Sequence, residues 1–128
     1  MFGVVRRFWG ATVSIETEVT SKGILIIKLH GRMQLTDLQG MEAKFRKLVS
    51  GKKAVIVDLS GLEVLFSMGL RALIMSAQIL EARGGRLVLM APTADVLAVL
   101  KASGTSKLVP ICRNQEEAEA MVAISSVP

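Results

Sequence analysis

The feature that most constrains the fold is a short apolar strand followed by a loop and a long helix. Residues 54–57 are apolar and largely β-branched, as expected for a strand buried on both faces of a sheet. Ser67 then stands where the N-cap of a helix is expected, and Gly69 leaves the first helical turn uncrowded. A strand that leads into a helix in this way is typical of an α/β protein, in which helices cover the sheet.

The rest of the chain predicts two strands followed by alternating helices and strands. Apolar residues that alternate at 13–19, a turn at 20–23 and a second apolar run at 24–29 predict a hairpin. The elements expected after it are a helix from Thr36 or Asp37 to about residue 49, a strand at 54–59, a helix at 68–83, a strand at 86–90, a helix at 92–102, a strand at 108–112 and a helix at 114–122. This order implies a sandwich with a mostly parallel central sheet, an N-terminal hairpin strand and helices packed on the sheet. Pro110 lacks a backbone N–H, which places the last strand at an edge.

Composition argues against several classes of protein. The chain has 128 residues, 51% of them hydrophobic, which suits one domain with its own core. We expect an N-terminal extension at 1–11, either flexible or interface-forming, a domain at 12–124 and a tail at 125–128. The single cysteine, Cys112, excludes an internal disulfide and fits a reducing cytoplasm, and no apolar run has the length of a transmembrane segment. Aromatic residues for base stacking are nearly absent, which argues against nucleic-acid binding.

Much of the formal net charge of +5 lies around the first predicted helix and the loop after it. The cations in this cluster are Lys44, Arg46, Lys47, Lys52 and Lys53. A solvated helix face accounts for such a cluster, and contact with an acidic partner, anionic lipid or nucleic acid is the alternative.

The helix after Ser67 carries two apolar stripes. One stripe at helical spacing should face the sheet and consists of Leu70, Leu73, Ile74, Ala77 and Leu80. The second lies on nearly the opposite side and consists of Met68, Ala72, Met75 and Ile79, with Arg71 between the two stripes. A helix on a sheet needs only one apolar face, so something must cover the second stripe, or it is a docking surface. The N-terminal segment of this chain or of a neighbouring subunit is one candidate cover, and a partner protein is the other.

The stretch from Asp58 to the helix resembles the signature of STAS domains, the family of bacterial anti-sigma-factor antagonists. The family pattern is Asp-Leu-Ser, a few residues, an apolar pair, then Asp-Ser-Ser/Thr-Gly-Leu and an apolar helix. Asp58-Leu59-Ser60, Ser67, Gly69 and Leu70 match it, whereas Phe66 replaces the acidic residue and Met68 replaces the second hydroxyl residue. The resemblance covers roughly residues 12–124.

The resemblance implies a non-enzymatic regulator that binds an anti-sigma-factor serine kinase in the cytoplasm. In the antagonists, the serine aligned with Ser67 is the one that is phosphorylated. The partner-binding residues expected around it are Leu65, Phe66, Met68, Gly69, Arg71, Ala72, Met75 and Ile79. Asp58 and Ser60 are expected to support the loop before the helix. ATP and magnesium would belong to the kinase, so we expect this chain to use no cofactor and no metal.

Two other interpretations remain open. STAS proteins also serve as accessory subunits that bind the ATPase of phospholipid-transport ABC systems, and the missing acidic residue at Phe66 favours such a role without phosphorylation. A small-ligand or nucleotide binder on the same fold is the other, because fold alone does not decide function. Against an enzyme, the lone His30 and Cys112 form no recognisable catalytic or metal set, and phosphate-loop and nucleophile-elbow motifs are missing. A homodimer through the N-terminal segment or the helix after Ser67 is compatible with each of these roles.

Overall fold

The computed structural model describes residues 4–9, 13–32 and 40–125 of the chain. The strands are β1 (Val4–Trp9), β2 (Val13–Val19), β3 (Leu25–Arg32), β4 (Ala54–Val64), β5 (Arg86–Met90) and β6 (Ile111–Cys112). The helices are α1 (Met41–Val49), α2 (Ser67–Ala82), α3 (Ala94–Ala102), α4 (Thr105–Leu108) and α5 (Gln115–Ser125). This order confirms the predicted α/β class.

One six-stranded sheet holds the strands in their order along the chain. β1, β2 and β3 pair antiparallel, which confirms the hairpin, and β3 to β6 pair parallel. β6 forms one edge of the sheet, as the position of Pro110 predicted. The other edge is β1, whose backbone pairs along β2, so the N-terminal segment contributes a strand to the sheet.

Helices cover both faces of the sheet. The buried apolar residues of α1, α2 and α3 form one cluster with β-strand residues such as Ile27, Val57 and Leu89. On the opposite face, α5 packs Ala118 and Val122 against a second cluster of strand residues. The stripe of α2 that was predicted to face the sheet is confirmed, because its members are buried or packed against the first cluster; they are Leu70, Leu73, Ile74, Ala77 and Leu80.

Capping groups fix three helix boundaries close to the predicted positions. The Thr93 side chain accepts a hydrogen bond from the Val96 N–H (3.3 Å), and the Asn114 side chain accepts one from the Glu117 N–H (2.9 Å). Gly84 adopts φ 79° directly after the last turn of α2, where a residue with a Cβ would be strained. The expected caps Thr36 and Asp37 lie outside the described residues.

Strand β4 is longer than predicted, because Ser60 and Gly61 do not form a turn. The strand continues to Val64, and Gly61 pairs with His30 after a shift of register between Lys28 and His30. A Cβ on Gly61 would overlap the Nδ1 atom of the His30 ring, so the missing side chain is what allows this close approach. Gly61 therefore allows an irregularity in the pairing of β3 with β4, and it is not a loop residue.

The strand predicted at 108–112 is shorter, because a helical turn precedes it. Gly104, with φ 80°, redirects the chain after α3. The Lys107 N–H then donates to the Gly104 carbonyl (3.0 Å) and the Val109 N–H to the Thr105 carbonyl (2.9 Å), which closes α4. Only Ile111 and Cys112 remain as β6.

A candidate docking site at the start of helix α2

The candidate site lies where β4 ends and α2 begins. Phe66 has extended backbone angles (φ −100°, ψ 166°), and its carbonyl accepts the first helical hydrogen bond, from the Leu70 N–H (3.0 Å). Phe66 is therefore the N-cap and Ser67 the first helical residue, one position later in the helix than predicted. The backbone N–H groups of the first turn precede that first bond and are available at the helix end.

Two large apolar side chains are exposed on either side of Ser67. Phe66 is 36% exposed and Met68 52% exposed, whereas Leu65 is buried at 5%. Gly69 is also buried, so it contributes no accessible surface. We call the exposed pair Phe66 and Met68 the apolar patch. It is small, but its two members directly flank Ser67 in the chain.

The second apolar stripe of α2 is partly buried. Ala72 is buried (1% exposed) in the same cluster as Phe45 and Val49 of α1, and Met75 and Ile79 are half-buried. Within one chain, residues 4–9 form β1 at the sheet edge beside β2, and cover by the N-terminal segment of a neighbouring subunit stays a prediction. Met68, at the N-terminal end of the stripe, is the member that is exposed.

Arg71 is exposed and forms an ion pair with a residue that the sequence did not single out. The Arg71 Nε atom lies 2.9 Å from Oε1 of Glu42, which belongs to the first turn of α1. A glutamate in a first helical turn is common for electrostatic reasons alone, so no sequence signal pointed to this pairing. The pair links the starting ends of α1 and α2, which run side by side.

Asp58 and Ser60 lie within β4 rather than in a loop. The Asp58 Oδ1 atom accepts a hydrogen bond from the Ser60 N–H (2.9 Å), at the shift of register between β3 and β4. This contact satisfies a backbone donor where the ladder is irregular. Sequence reasoning also missed a role of Thr93, whose hydroxyl donates to the Leu62 carbonyl (3.4 Å) and so joins the start of α3 to β4.

The described residues offer little else for chemistry near Ser67. They contain no group of three or more His, Cys, Asp or Glu side chains arranged to hold a metal ion. Cys112 is buried, and this burial, with the charge of Glu117, raises the pKa of its thiol, which keeps it protonated and unreactive at neutral pH. Across all the residues that the structure describes, no helix is long and apolar enough to cross a membrane.

A groove of about 750 Å³ lies at the other end of the sheet, between the 22–24 turn, the start of β4 and α5. Lys22 and Glu119 form an ion pair there, with Nζ and Oε1 3.3 Å apart. The hydrogen bond from Gln115 is the main cause of the lowered pKa of Glu119. Since Ser67 follows the end of β4 and the groove lies at its start, the groove is separate from the candidate docking site.

The fold is an α/β sandwich on a mixed sheet, with an exposed apolar patch at the start of α2. Comparison with known proteins identifies its family: residues 15–118 match the STAS domain model. The chain is 31% identical over 99 residues to BtrV of Bordetella bronchiseptica, described as an anti-sigma factor antagonist, with 77% of this chain and 85% of BtrV covered. The chain therefore belongs to the STAS domain family.

Solved structures share this fold. The unphosphorylated form of the anti-sigma factor antagonist SpoIIAA superimposes with a TM-score of 0.70 at 22% identity, covering 89% of this chain and 98% of SpoIIAA. The phosphorylated form of SpoIIAA, from Bacillus, gives a TM-score of 0.64 at 21% identity, covering 86% of this chain and 98% of that one. At these identities the likeness concerns the fold, and it confirms the predicted STAS-type sandwich.

Proposed function

We propose that this chain is an anti-sigma-factor antagonist that binds an anti-sigma-factor serine kinase and is switched by phosphorylation of Ser67. The observation that carries the proposal is the exposure of Phe66 and Met68 on both sides of Ser67, at the start of a helix whose remaining apolar surface is largely buried. A modification at Ser67 falls at the centre of the surface that a partner would cover.

The switch follows from the cost of burying charge. A phosphate on Ser67 adds about −1.5 to −2 charges at neutral pH. The start of α2 tolerates this charge, because the helix dipole is positive there, so the fold should survive. A partner that covers Phe66 and Met68 would have to desolvate the phosphate, and the complex should therefore weaken. Binding is thus controlled without a large conformational change.

The relatives support this role. BtrV is described as an anti-sigma factor antagonist, and SpoIIAA is known in an unphosphorylated and a phosphorylated form. In this role the chain is a non-enzymatic regulator, needs no cofactor of its own and acts in the cytoplasm, where the kinase and its ATP are found. The buried Leu65 and Gly69 would hold the docking surface in place. Arg71 and the half-buried Met75 and Ile79 would lie at its border.

The test compares wild type with Ser67→Ala and Ser67→Asp. Affinity capture from native lysate with mass spectrometry identifies the partner, and titration with the purified partner gives the affinity. We expect a histidine-kinase-like ATPase to bind wild type and Ser67→Ala equally, and Ser67→Asp at least about tenfold more weakly. Ser50→Asp, which adds the same charge at an exposed serine at the end of α1, is the matched control. Equal binding by Ser67→Ala and Ser67→Asp would exclude the switch.

Phe66 favours one alternative, an accessory subunit bound to the ATPase of a phospholipid-transport ABC system. An aromatic residue in place of the family's acidic residue enlarges the apolar patch and removes a charge that a kinase could recognise. In that role the complex would form constitutively. Capture of an ATPase with a Walker A motif, equally by wild type, Ser67→Ala and Ser67→Asp, would establish this alternative in place of the kinase.

A further inference from the structure

An ion pair between Arg71 and Glu42 joins α1 and α2 at the starting ends of these helices. Arg71 Nε and Glu42 Oε1 are 2.9 Å apart, and the two side chains are 71% and 32% exposed. An ion pair this accessible to water is weak, because solvent screens it and both long side chains lose freedom in forming it. A stronger anion within reach of Arg71 would therefore displace Glu42.

Ser67 lies four residues before Arg71 in the same helix. Side chains at this spacing are neighbours on a helix surface, and an acidic group that precedes a basic one by four residues is in the favourable orientation. A phosphate also presents more charge than a carboxylate, and its oxygens match the fork of a guanidinium. The sequence thus places the cation that suits a phosphate one helical turn after the residue that would carry it.

We infer that Arg71 is the residue that receives the phosphate of phosphorylated Ser67, and that Glu42 holds Arg71 only while Ser67 is unmodified. The inference rests on the proposed function, since it assigns a regulatory partner exchange to the same site. Phosphorylation then does two things: it places charge at the apolar patch, and it draws Arg71 away from α1. The start of α1 then loses this ion pair to α2.

The change is confined to one end of the helix pair. At the other end the Arg83 guanidinium donates to the Val49 carbonyl (2.9 Å) and the Lys52 carbonyl (3.2 Å), and Phe45 and Val49 are buried in the core. α1 therefore stays packed when its first turn is released. Phosphorylation alters the border of the docking surface as well as its charge.

Phosphorus NMR on a chain with phosphoserine incorporated at position 67 during synthesis tests this exchange without any kinase. The measured quantity is the pKa of the second phosphate ionisation, which a nearby cation lowers. Arg71→Gln should raise this pKa by about 0.3 relative to the unsubstituted phosphoprotein, the size expected for one exposed pair at this spacing. Glu42→Gln should lower it, because Arg71 is freed and a negative charge is lost.

A double substitution separates those two effects of Glu42. If Glu42 competes for Arg71, Glu42→Gln should change the phosphate pKa less in the Arg71→Gln background than alone. Arg71→Lys, which keeps the charge but not the fork, should recover part of the shift. Other charged residues near this end include Arg32, Glu63 and Asp95. Arg32→Gln is the matched control, and it should change the phosphate pKa less than Arg71→Gln does.

An unchanged phosphate pKa in Arg71→Gln, or a change of equal size in Arg32→Gln, would overturn the inference. Either result leaves the proposed function intact, because desolvation of the phosphate would still weaken binding. Conversely, if Ser67→Asp and Ser67→Ala bind the partner equally, the proposed function fails while the titration still shows whether Arg71 receives a phosphate.

Discussion

Helix α2 is fixed in different ways at its two ends. At the C-terminal end, the Gly85 N–H donates to the Leu80 carbonyl (2.8 Å) and the Gly84 N–H to the Glu81 carbonyl (3.0 Å), so the last turn is closed by backbone bonds in a Schellman motif. At the N-terminal end, Phe66 is the N-cap and has no side-chain oxygen to offer the first-turn N–H groups. An exposed ion pair between Arg71 and Glu42 links this end to α1.

The difference indicates which end carries stability and which is free to serve binding. The C-terminal end uses glycine conformation and backbone hydrogen bonds, whose partners cannot be exchanged by a modification or a ligand. The N-terminal end uses side chains that remain accessible, and leaves the apolar patch exposed. Functional sites are often less stable than the scaffold that holds them, and the two ends of α2 fit that relation.

The largest effect should come from Gly85→Ala at the C-terminal end. A Cβ on Gly85 would overlap the backbone of Lys53, within 2.9 Å of its carbonyl carbon, and backbone cannot move aside as a flexible side chain can. The Arg86 N–H also donates to that Lys53 carbonyl (2.7 Å), so β4 and β5 would be forced apart. We expect a loss of about 3 kcal/mol in the free energy of unfolding, measured by urea denaturation.

Gly84→Ala is the matched control for this prediction. Gly84 has nothing within 4 Å of a Cβ, but its φ of 79° strains any residue other than glycine, so the expected loss is only about 1 to 2 kcal/mol. A larger loss for Gly84→Ala than for Gly85→Ala would mean that the backbone conformation, rather than the contact with Lys53, dominates this end.

Next in size is Arg83→Gln. The Arg83 side chain donates to the carbonyls of Val49 and Lys52, which lie at and after the end of α1, where backbone acceptors lack helical partners and the dipole favours a cation. Loss of these charge-assisted bonds should lower the free energy of unfolding by about 1.5 kcal/mol. Lys107→Gln, which removes an exposed cation in α4, should change it by less than about 0.5 kcal/mol; equal losses would show that net charge alone is responsible.

The C-terminal end of α2 could be predicted from the sequence, and the N-terminal end could not. Two adjacent glycines after an apolar helical stripe are a local signal for a helix end. At the start, the sequence predicted Ser67 as the N-cap. Strand β4 instead continues to Val64, with Leu62 and Leu65 buried, and Phe66 is the N-cap. The contact between Arg71 and Glu42 joins separate helices, and such pairings depend on packing that no local pattern encodes.

The same distinction holds for the fold. The alternation of strands and helices predicted a mostly parallel sheet with an antiparallel hairpin, because periodicity and turn residues are local. The continuation of β4 past Gly61 depends on the approach of His30 from another strand. The burial of Ala72 depends on α1, so the second stripe of α2 looked more open in the sequence than it is.

Phe66→Asp should stabilise the protein, in contrast to the substitutions at the C-terminal end. An aspartate at the N-cap accepts a hydrogen bond from a first-turn N–H and interacts favourably with the helix dipole, so we expect a gain of about 1 kcal/mol in the free energy of unfolding. The same change removes half of the apolar patch, and partner affinity should fall. Phe66→Ala separates the two effects, because it shortens the side chain without supplying a cap. If Phe66→Asp destabilises the fold, Phe66 packs more tightly than its 36% exposure indicates.

The smallest effect should be that of Arg71→Gln in the unmodified protein. Its ion pair with Glu42 is exposed, so its removal should cost less than about 0.5 kcal/mol in the free energy of unfolding. Comparison with Arg83→Gln tests whether the arginines at the two ends of α2 differ in their contribution. Arg83 donates to backbone carbonyls at a helix end, whereas Arg71 pairs with an accessible carboxylate. Raising the salt concentration should reduce the Arg71 contribution further, while that of Arg83 should persist. If Arg71→Gln costs as much as Arg83→Gln, the N-terminal end is not the weakly held one, and a phosphate on Ser67 would have to compete with a structural contact rather than a readily exchanged one.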